Sequence, residues 1–158
     1  MLGILNPLRC KLTIAWRRYY FKEDIAWDFK IFFPVSIAAL GQGLISIGKG
    51  CKIGEFSTIR AGGYKIYIGD DVTISNLAAI ISNNLGTRKC GVPMREQMPT
   101  GGDIIIKNGA WLANGSTILP DVTVGEGAII SAGAVVSSDV PDYAIVAGNP
   151  ARIIGYRK

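Results

Sequence analysis

One spacing governs this chain. Ile106, Leu112, Ile118, Val124, Ile130 and Val136 follow one another at intervals of six residues. Four places beyond five of them stand Ala110, Ser116, Val122, Ala128 and Ala134, all small or β-branched. The same register holds at Ile47, Ile53 and Ile59, with Cys51, Ser57 and Gly63 at the later places, and at Ile68, Ile74 and Ile80, with Val72 and Ala78. A step of nine residues from Ile59 to Ile68, through "RAGGYK", predicts a small corner insertion. Six is neither the helical period nor the alternation of a flat sheet. It means a short strand followed by a corner, repeated. Three such sides make one coil of a triangular prism, with the aliphatic residue pointing inward and the small residue filling the corner. Twelve units in register predict four coils of a parallel β-helix, and Ile25, Ile31 and Ile37 add a partial first one.

Composition agrees with such a fold. The chain has 158 residues, of which 49% are apolar, 18% charged and 20 are glycine. That is one domain with a sizeable core, too apolar for disorder and supplied with residues for tight corners. No run reaches the ~18–20 apolar residues of a membrane span, and the apolar start before Pro7 and Arg9 is too short for a signal peptide, so a cytoplasmic protein is expected. Cys10, Cys51 and Cys90 have no paired spacing and read as idle thiols in a reducing compartment. The net charge of +5 suits an anionic ligand and is too unclustered to suggest nucleic acid.

The repeat divides the chain into segments. Residues 25–81 and 104–147 carry the coils, 82–103 form an extended loop, and 148–158 a short basic tail ending in "RIIGYRK". Residues 1–24 hold Leu8, Leu12, Ala15, Trp16 and Tyr19 at helical spacing, with Asn6 as N-cap and Pro7 at the first helical position. This helix is expected to cover the open end of the prism, as solenoids require. Its cluster Arg9, Lys11, Arg17 and Arg18 also suits an anionic membrane surface, the less favoured reading.

The segment "WLANGSTILPDVTVGEGAIISAGAVVSSDVPDYAIVAGNPARII", Trp111 to Ile154, resembles the hexapeptide-repeat acyltransferases of left-handed parallel β-helix fold. Within them it is similar to the small bacterial sugar O- and N-acetyltransferases of polysaccharide synthesis. "GTRKCGVPMREQ" resembles their acceptor loop. The resemblance implies a homotrimer that takes acetyl-CoA in a groove between neighbouring prisms, with active sites between subunits. The acceptor would be a sugar, free or nucleotide- or lipid-linked. It also supplies the handedness, which the period alone does not show.

Site residues follow from the same resemblance. Trp111 matches a tryptophan near the reacting centre. Ala113, Ser131 and Ala132 match wall positions where small side chains let the pantetheine arm pass and backbone N–H groups face it. Asn149, Pro150 and Arg152 match the turn at the adenine end, and Arg152 with Arg157 or Lys158 suits coenzyme phosphates. In the loop, Arg88, Arg95, Glu96 and Gln97 could bond sugar hydroxyls or a nucleotide phosphate. Each also has a plain reading as a corner filler, an interface residue or a solvated polar side chain.

The family's general base is a histidine just after the strand ending at Ile80–Ile81. This chain has no histidine, and "SNNLG" stands there, with Asn83 or Asn84 at the position. A carboxamide is close to imidazole in size and can bond a hydroxyl, but it has no basic nitrogen. Three readings stay open: a family enzyme whose histidine has been replaced, a natural protein that binds without catalysing, or an enzyme using Asp70, Asp71, Glu96 or Asp103. Ordinary carboxylates are weak bases near neutrality unless desolvated, and an amine acceptor has less need of a base. The lack of histidine also excludes a histidine-ligated zinc site and a Ser-His-Asp triad. No metal is expected, and no P-loop pattern is present.

Overall fold

The computed structural model describes residues 30–32 and 34–158. The expected N-terminal helix, its basic cluster, Cys10 and Ile25 lie outside these residues. The described chain is a left-handed parallel β-helix of about five turns. In the first coil run β1 (Lys30–Ile31), β2 (Ser36–Leu40) and β3 (Leu44–Ile47), and in the second β4 (Lys52–Ile53), β5 (Thr58–Gly62) and β6 (Lys65–Ile68). The third holds β7 (Thr73–Ile74) and β8 (Ala79–Ile81), a loop with β9 (Asn83–Asn84) and β10 (Thr100–Gly101), then β11 (Ile104–Ile106). The fourth is β12 (Trp111–Leu112), β13 (Thr117–Ile118) and β14 (Thr123–Val124), followed by β15 (Ile129–Ile130) and β16 (Val135–Val136). A hairpin of β17 (Ala144–Gly148) and β18 (Ala151–Tyr156) ends the chain.

Three faces result. One has seven strands in the order β1-β4-β7-β12-β15-β17-β18, one has five (β16-β13-β8-β5-β2) and one has four (β14-β11-β6-β3). Pairing is parallel throughout these faces except between β17 and β18. The six-residue rhythm becomes vertical stacking. Ile53, Ile74, Leu112, Ile130 and Val146 lie in register on the seven-stranded face, and Ile59, Ile80, Ile118 and Val136 on the five-stranded one. All are buried, each worth about 1.5–3 kcal/mol in removal from water. The four-stranded face adds a second inward column, Ile45, Ile66 and Ile104, which the six-residue template does not include.

The corner positions are selected by size. Cys51, Val72, Ala110 and Ala128 stack at one corner, and Ser57, Ala78, Ser116 and Ala134 at the next, all buried. Gly63 breaks this expectation. It is exposed, at φ +85°, and Ala61 takes the buried place. The extra residues of the nine-residue step push Gly63 outward, where its left-handed backbone makes the turn.

One corner differs from the others in length. Between the five- and four-stranded faces, successive inward residues Ile37 and Ile47 are ten apart, Ile59 and Ile68 nine, Ile80 and Ile106 twenty-six, and Ile118 and Val124 six. The long loop thus leaves the prism directly below a smaller irregularity on the same edge. Among the described residues, no helix is long and apolar enough to cross a membrane.

Candidate active site

The loop is clamped where it leaves and re-enters the prism. Ser82, fully buried, accepts from Gly62 N–H through Oγ (3.1 Å) and from Gly102 N–H through its carbonyl (3.1 Å). Its own N–H donates to the Arg60 carbonyl at 3.1 Å. β9 and β10 pair antiparallel, Asn83 opposite Gly101 and Asn84 opposite Thr100. Asp103 Oδ1 then accepts from Lys65 N–H at 2.8 Å, which ties the loop's exit to the coil above.

Two glycines in this neck are required by close approach. Neither Gly62 nor Gly101 has a positive φ, so any L residue could adopt their backbones. A Cβ at Gly62 would coincide with the Asn83 carboxamide, coming 2.6 Å from its Nδ2. A Cβ at Gly101 would stand 2.7 Å from Tyr64 Cε2 and 2.9 Å from Asn83 Cα, and would overlap the Ser82 carbonyl oxygen. Asn83 is therefore held with its amide on the backbone of the coil above. Asn84 is exposed, and so is the next residue, Leu85, at 55%.

Beyond the neck the loop is folded by its own polar groups. Gln97 donates from Nε2 to the carbonyls of Arg88 (3.0 Å) and Val92 (2.7 Å) and accepts from Arg88 N–H at Oε1 (2.9 Å). A carboxamide so engaged staples the loop, with both Nε2 hydrogens used and one Oε1 lone pair left for another donor. A 3₁₀ turn at Met94–Glu96 carries Arg95 and Glu96, an exposed pair 3.5 Å apart. Arg88 is exposed beside them.

The coenzyme candidates lie on another side of the prism. Trp111 is on the outside of the seven-stranded face, 46% exposed, with Nε1 donating to Ser75 Oγ at 3.0 Å. Ala113 and Ser131 lie in register at the following corner, with exposed Ala132 beside them. Their small side chains fit a wall, but two of the expected N–H groups are engaged in the ladder. Ala113 N–H donates to Ile130 and Ser131 N–H to Val146, both at 2.9 Å, because the β-ladder continues through the corner.

Asn149 and Pro150, joined by a cis peptide, are exposed at the β17–β18 turn. Arg152 follows, exposed, with Nη1 on the Ala151 carbonyl at 2.8 Å. It lines a cavity of about 300 Å³ at the C-terminal end with Val136, Val140, Val146 and Ala151. Arg157 donates from Nη1 to the Gly127 carbonyl at 3.0 Å, and Lys158 is exposed beyond it.

Two of the candidate bases, Asp70 and Asp103, brace backbone, and Glu96 lies in the loop. Asp70 Oδ1 accepts from Lys49 N–H (2.8 Å), and Asp71 sits at φ +56° as a turn residue. Asp103 is bound in the neck and Glu96 to Arg95. The shifted titrations lie elsewhere, at the corner of Asp142 and Tyr143. The Glu126 N–H and then the Lys107 ammonium, 3.0 Å away, hold the Asp142 carboxyl below the ordinary range. The Tyr143 hydroxyl, donating to Glu126 at 2.9 Å, is raised because that bond favours the neutral phenol.

Comparison with known proteins concerns both repeat and prism. Residues 103–138 match the bacterial transferase hexapeptide family of six repeats. The chain carries a bacterial transferase hexapeptide repeat. It is 36% identical over 115 residues to a probable macrolide acetyltransferase of Lysinibacillus sphaericus, covering 70% of this chain and 62% of that protein. A putative lipopolysaccharide biosynthesis O-acetyl transferase of Escherichia coli is 29% identical over 146 residues, 85% of this chain and 74% of that one. The hexapeptide-repeat acetyltransferase of Vibrio cholerae, solved with acetyl coenzyme A, shares the fold with a TM-score of 0.79 at 24% identity, over 99% and 80% of the two chains. The chain thus spans less than two thirds of the length of the first of these relatives. Within one prism the fold groups Trp111, Ala113, Ser131 and Ala132, and separately groups Asn83 and Asn84 at the loop neck. What the repeat did not reveal was the glycine-lined neck, Gly62 and Gly101 around Asn83. Its one sequence signal was the nine-residue step at "RAGGYK".

Proposed function

We propose that the protein is an acetyl-CoA-dependent acetyltransferase for a sugar hydroxyl or amine, with the family's base position at the loop neck occupied by asparagine. The observation that carries this reading is the neck itself: a preorganised corner holding Asn83 and Asn84, beside a long fixed loop, on a repeat shared with acetyltransferases. The two sequence relatives carry the names of a probable macrolide acetyltransferase and a putative lipopolysaccharide O-acetyl transferase, and the fold is one that has been seen holding acetyl-CoA.

Trp111, Ala113, Ser131, Ala132, Asn149, Pro150 and Arg152 descend the seven-stranded side and its corner toward the C-terminal end. They suit an extended coenzyme lying along the prism, with Arg152 and Arg157 meeting separate phosphates. The base position is at a different corner. A trimer with prisms side by side would join one subunit's seven-stranded side to its neighbour's loop, and the active site would form between them. Arg88, Arg95 and Glu96 then remain as acceptor contacts.

The chemistry limits the acceptor. The acceptor oxygen or nitrogen bonds to the acyl carbon, the C–S bond breaks, and the leaving thiolate gains the proton that the acceptor loses. No histidine takes that proton here, and Asp70 and Asp103 each accept a backbone N–H bond. An amine needs least help, because it can arrive unprotonated. The second reading, a protein that binds coenzyme and sugar without turnover, rests on the same lack of histidine. Thiol release from acetyl-CoA with sugar and amino-sugar acceptors decides between them, repeated with Asn83→His, Asn84→His and Leu85→His. Restoring a base should raise turnover about 10²–10⁴-fold at the correct position, and Asn84 or Leu85 is favoured because Asn83 faces the prism. If coenzyme A does not bind and no substitution raises turnover, the transferase reading fails.

A further inference from the structure

The nine-residue corner above the loop has a result that neither the repeat nor the neck requires. It places Tyr64 with Cε2 where a Cβ at Gly101 would stand 2.7 Å away, on the same side of Gly101 as Asn83. The neighbouring backbone is fixed from two directions, by Lys65 N–H on Asp103 (2.8 Å) and by Leu44 N–H on the Tyr64 carbonyl (3.2 Å). Tyr64 is half-buried, resting on Gly101 with part of its surface accessible beside Asn83. Loop closure does not need it, since Ser82, Asp103 and the β9–β10 pairing already close the neck.

We propose that Tyr64 is the sugar-stacking platform of the acceptor site, taking the C–H face of a pyranose ring beside Asn83 and so selecting an acceptor hexose. This deepens the function proposed above and rests on it for the place of the acceptor. An aromatic ring offers a large apolar surface with few torsions to order and a polar tip for a bond to a hydroxyl. A pyranose is its complement, with one face of C–H groups and a rim of hydroxyls. Rigid support matters because a stacked ligand is oriented only as well as its platform is. Gly101 gives that support by allowing van der Waals contact with backbone. The carboxamide of Asn83, fixed on Gly62, then stands at the rim where hydroxyls would lie.

Saturation-transfer NMR on the full chain tests this, with the methyl glycosides of glucose, galactose and N-acetylglucosamine as probes and coenzyme A as a separate one. At least one glycoside should receive saturation at its ring C–H protons in the wild type and in Tyr64→Phe. The signal should fall tenfold or more in Tyr64→Ala and in Tyr64→Leu, which keeps apolar bulk without the flat ring. Gly101→Ala, which leaves the tyrosine present but displaces it, should lose the signal as well. Coenzyme A binding should be unchanged in every variant. A sugar signal that survives in folded Tyr64→Ala or Tyr64→Leu overturns the proposal, as does a wild type that binds coenzyme A and none of the glycosides. Failure of coenzyme A to bind the wild type, with sugar contacts intact and dependent on Tyr64, would sink the transferase reading and leave the platform standing.

Discussion

At the corner between the seven- and five-stranded faces the chain turns within six residues in every coil, from Ile31–Ile37 through Ile130–Val136. At the corner between the five- and four-stranded faces it takes ten, nine, twenty-six and six. The regular corner selects residues for size and for backbone handedness: Ser57, Ala78, Ser116 and Ala134 fill it, and Gly115 and Gly133 turn it at φ +66° and +67°. The irregular corner selects glycines for a different reason. Gly62 and Gly101 have ordinary backbones and lack side chains because Asn83 and Tyr64 lie against them. The first corner is filled by the small buried residues of its own register, whereas at the second the contacts run between the coil and the neck of the long loop. A solenoid gains a site where it interrupts its repeat.

The sharpest way to separate the two regions is to damage each. Leu112→Ala, in the inward column of the regular coils, should cost about 3 kcal/mol, seen as a lower midpoint in chemical denaturation. Gly62→Ala should cost about 1–3 kcal/mol as an overpacked contact, and it should also abolish sugar saturation transfer, which a coil variant that stays folded would not. If Gly62→Ala is silent in both measurements, the neck is not preorganised as described.

The regular corner can be divided further. Phe56 and Leu77 occupy in its upper coils the left-handed positions that Gly115 and Gly133 occupy below, at φ +58° and +63°. Placing leucine at 115 should cost about 1 kcal/mol. The reverse change, Leu77→Gly, should be close to neutral, because strain relieved in the fold is offset by about 0.5–1 kcal/mol of added freedom in the unfolded chain. Thermal melts of the two variants check the asymmetry.

The smallest effect lies at the corner of Asp142. Its carboxyl is held below the ordinary range, so its contribution is present above that range and is lost as pH falls through the lowered value. Asp142→Asn should flatten the acid limb of the stability curve. Tyr143 is raised above 10.0, so its contribution is present below pH 10 and is lost as pH rises through the raised value. Tyr143→Phe should flatten only the alkaline limb.

The coils were legible because a period of six repeated over most of the chain has one structural meaning, and register carries each aliphatic residue onto the next. The loop was legible as the place where that period stops, while the reading of the asparagines as a base position rests on family resemblance alone. What stayed hidden was set by contacts between coils. Gly62 and Asn83 are twenty-one residues apart, and nothing local marks either as the other's partner. That the N–H groups of Ala113 and Ser131 are taken up in the ladder is hidden for a related reason: whether a ladder runs on through a corner depends on the coil below. Gln97 looked like a free polar side chain because its three bonds close a turn that has no repeat.

The antiparallel turn of β18 has a consequence for assembly in the other sense, that of unwanted growth. A parallel β-helix ends in open strand edges, and each is a template on which another molecule's strand could continue the stack. β18 folds back along β17 and occupies that edge on the widest face, with a register shift between Ile145 and Val146 that bends the pair away from flatness. The uncovered edge of β18 carries exposed Arg152, and like charges meeting there would resist end-to-end joining. Folded back in this way, β18 covers an edge that a fold built by repetition would otherwise leave open to another copy.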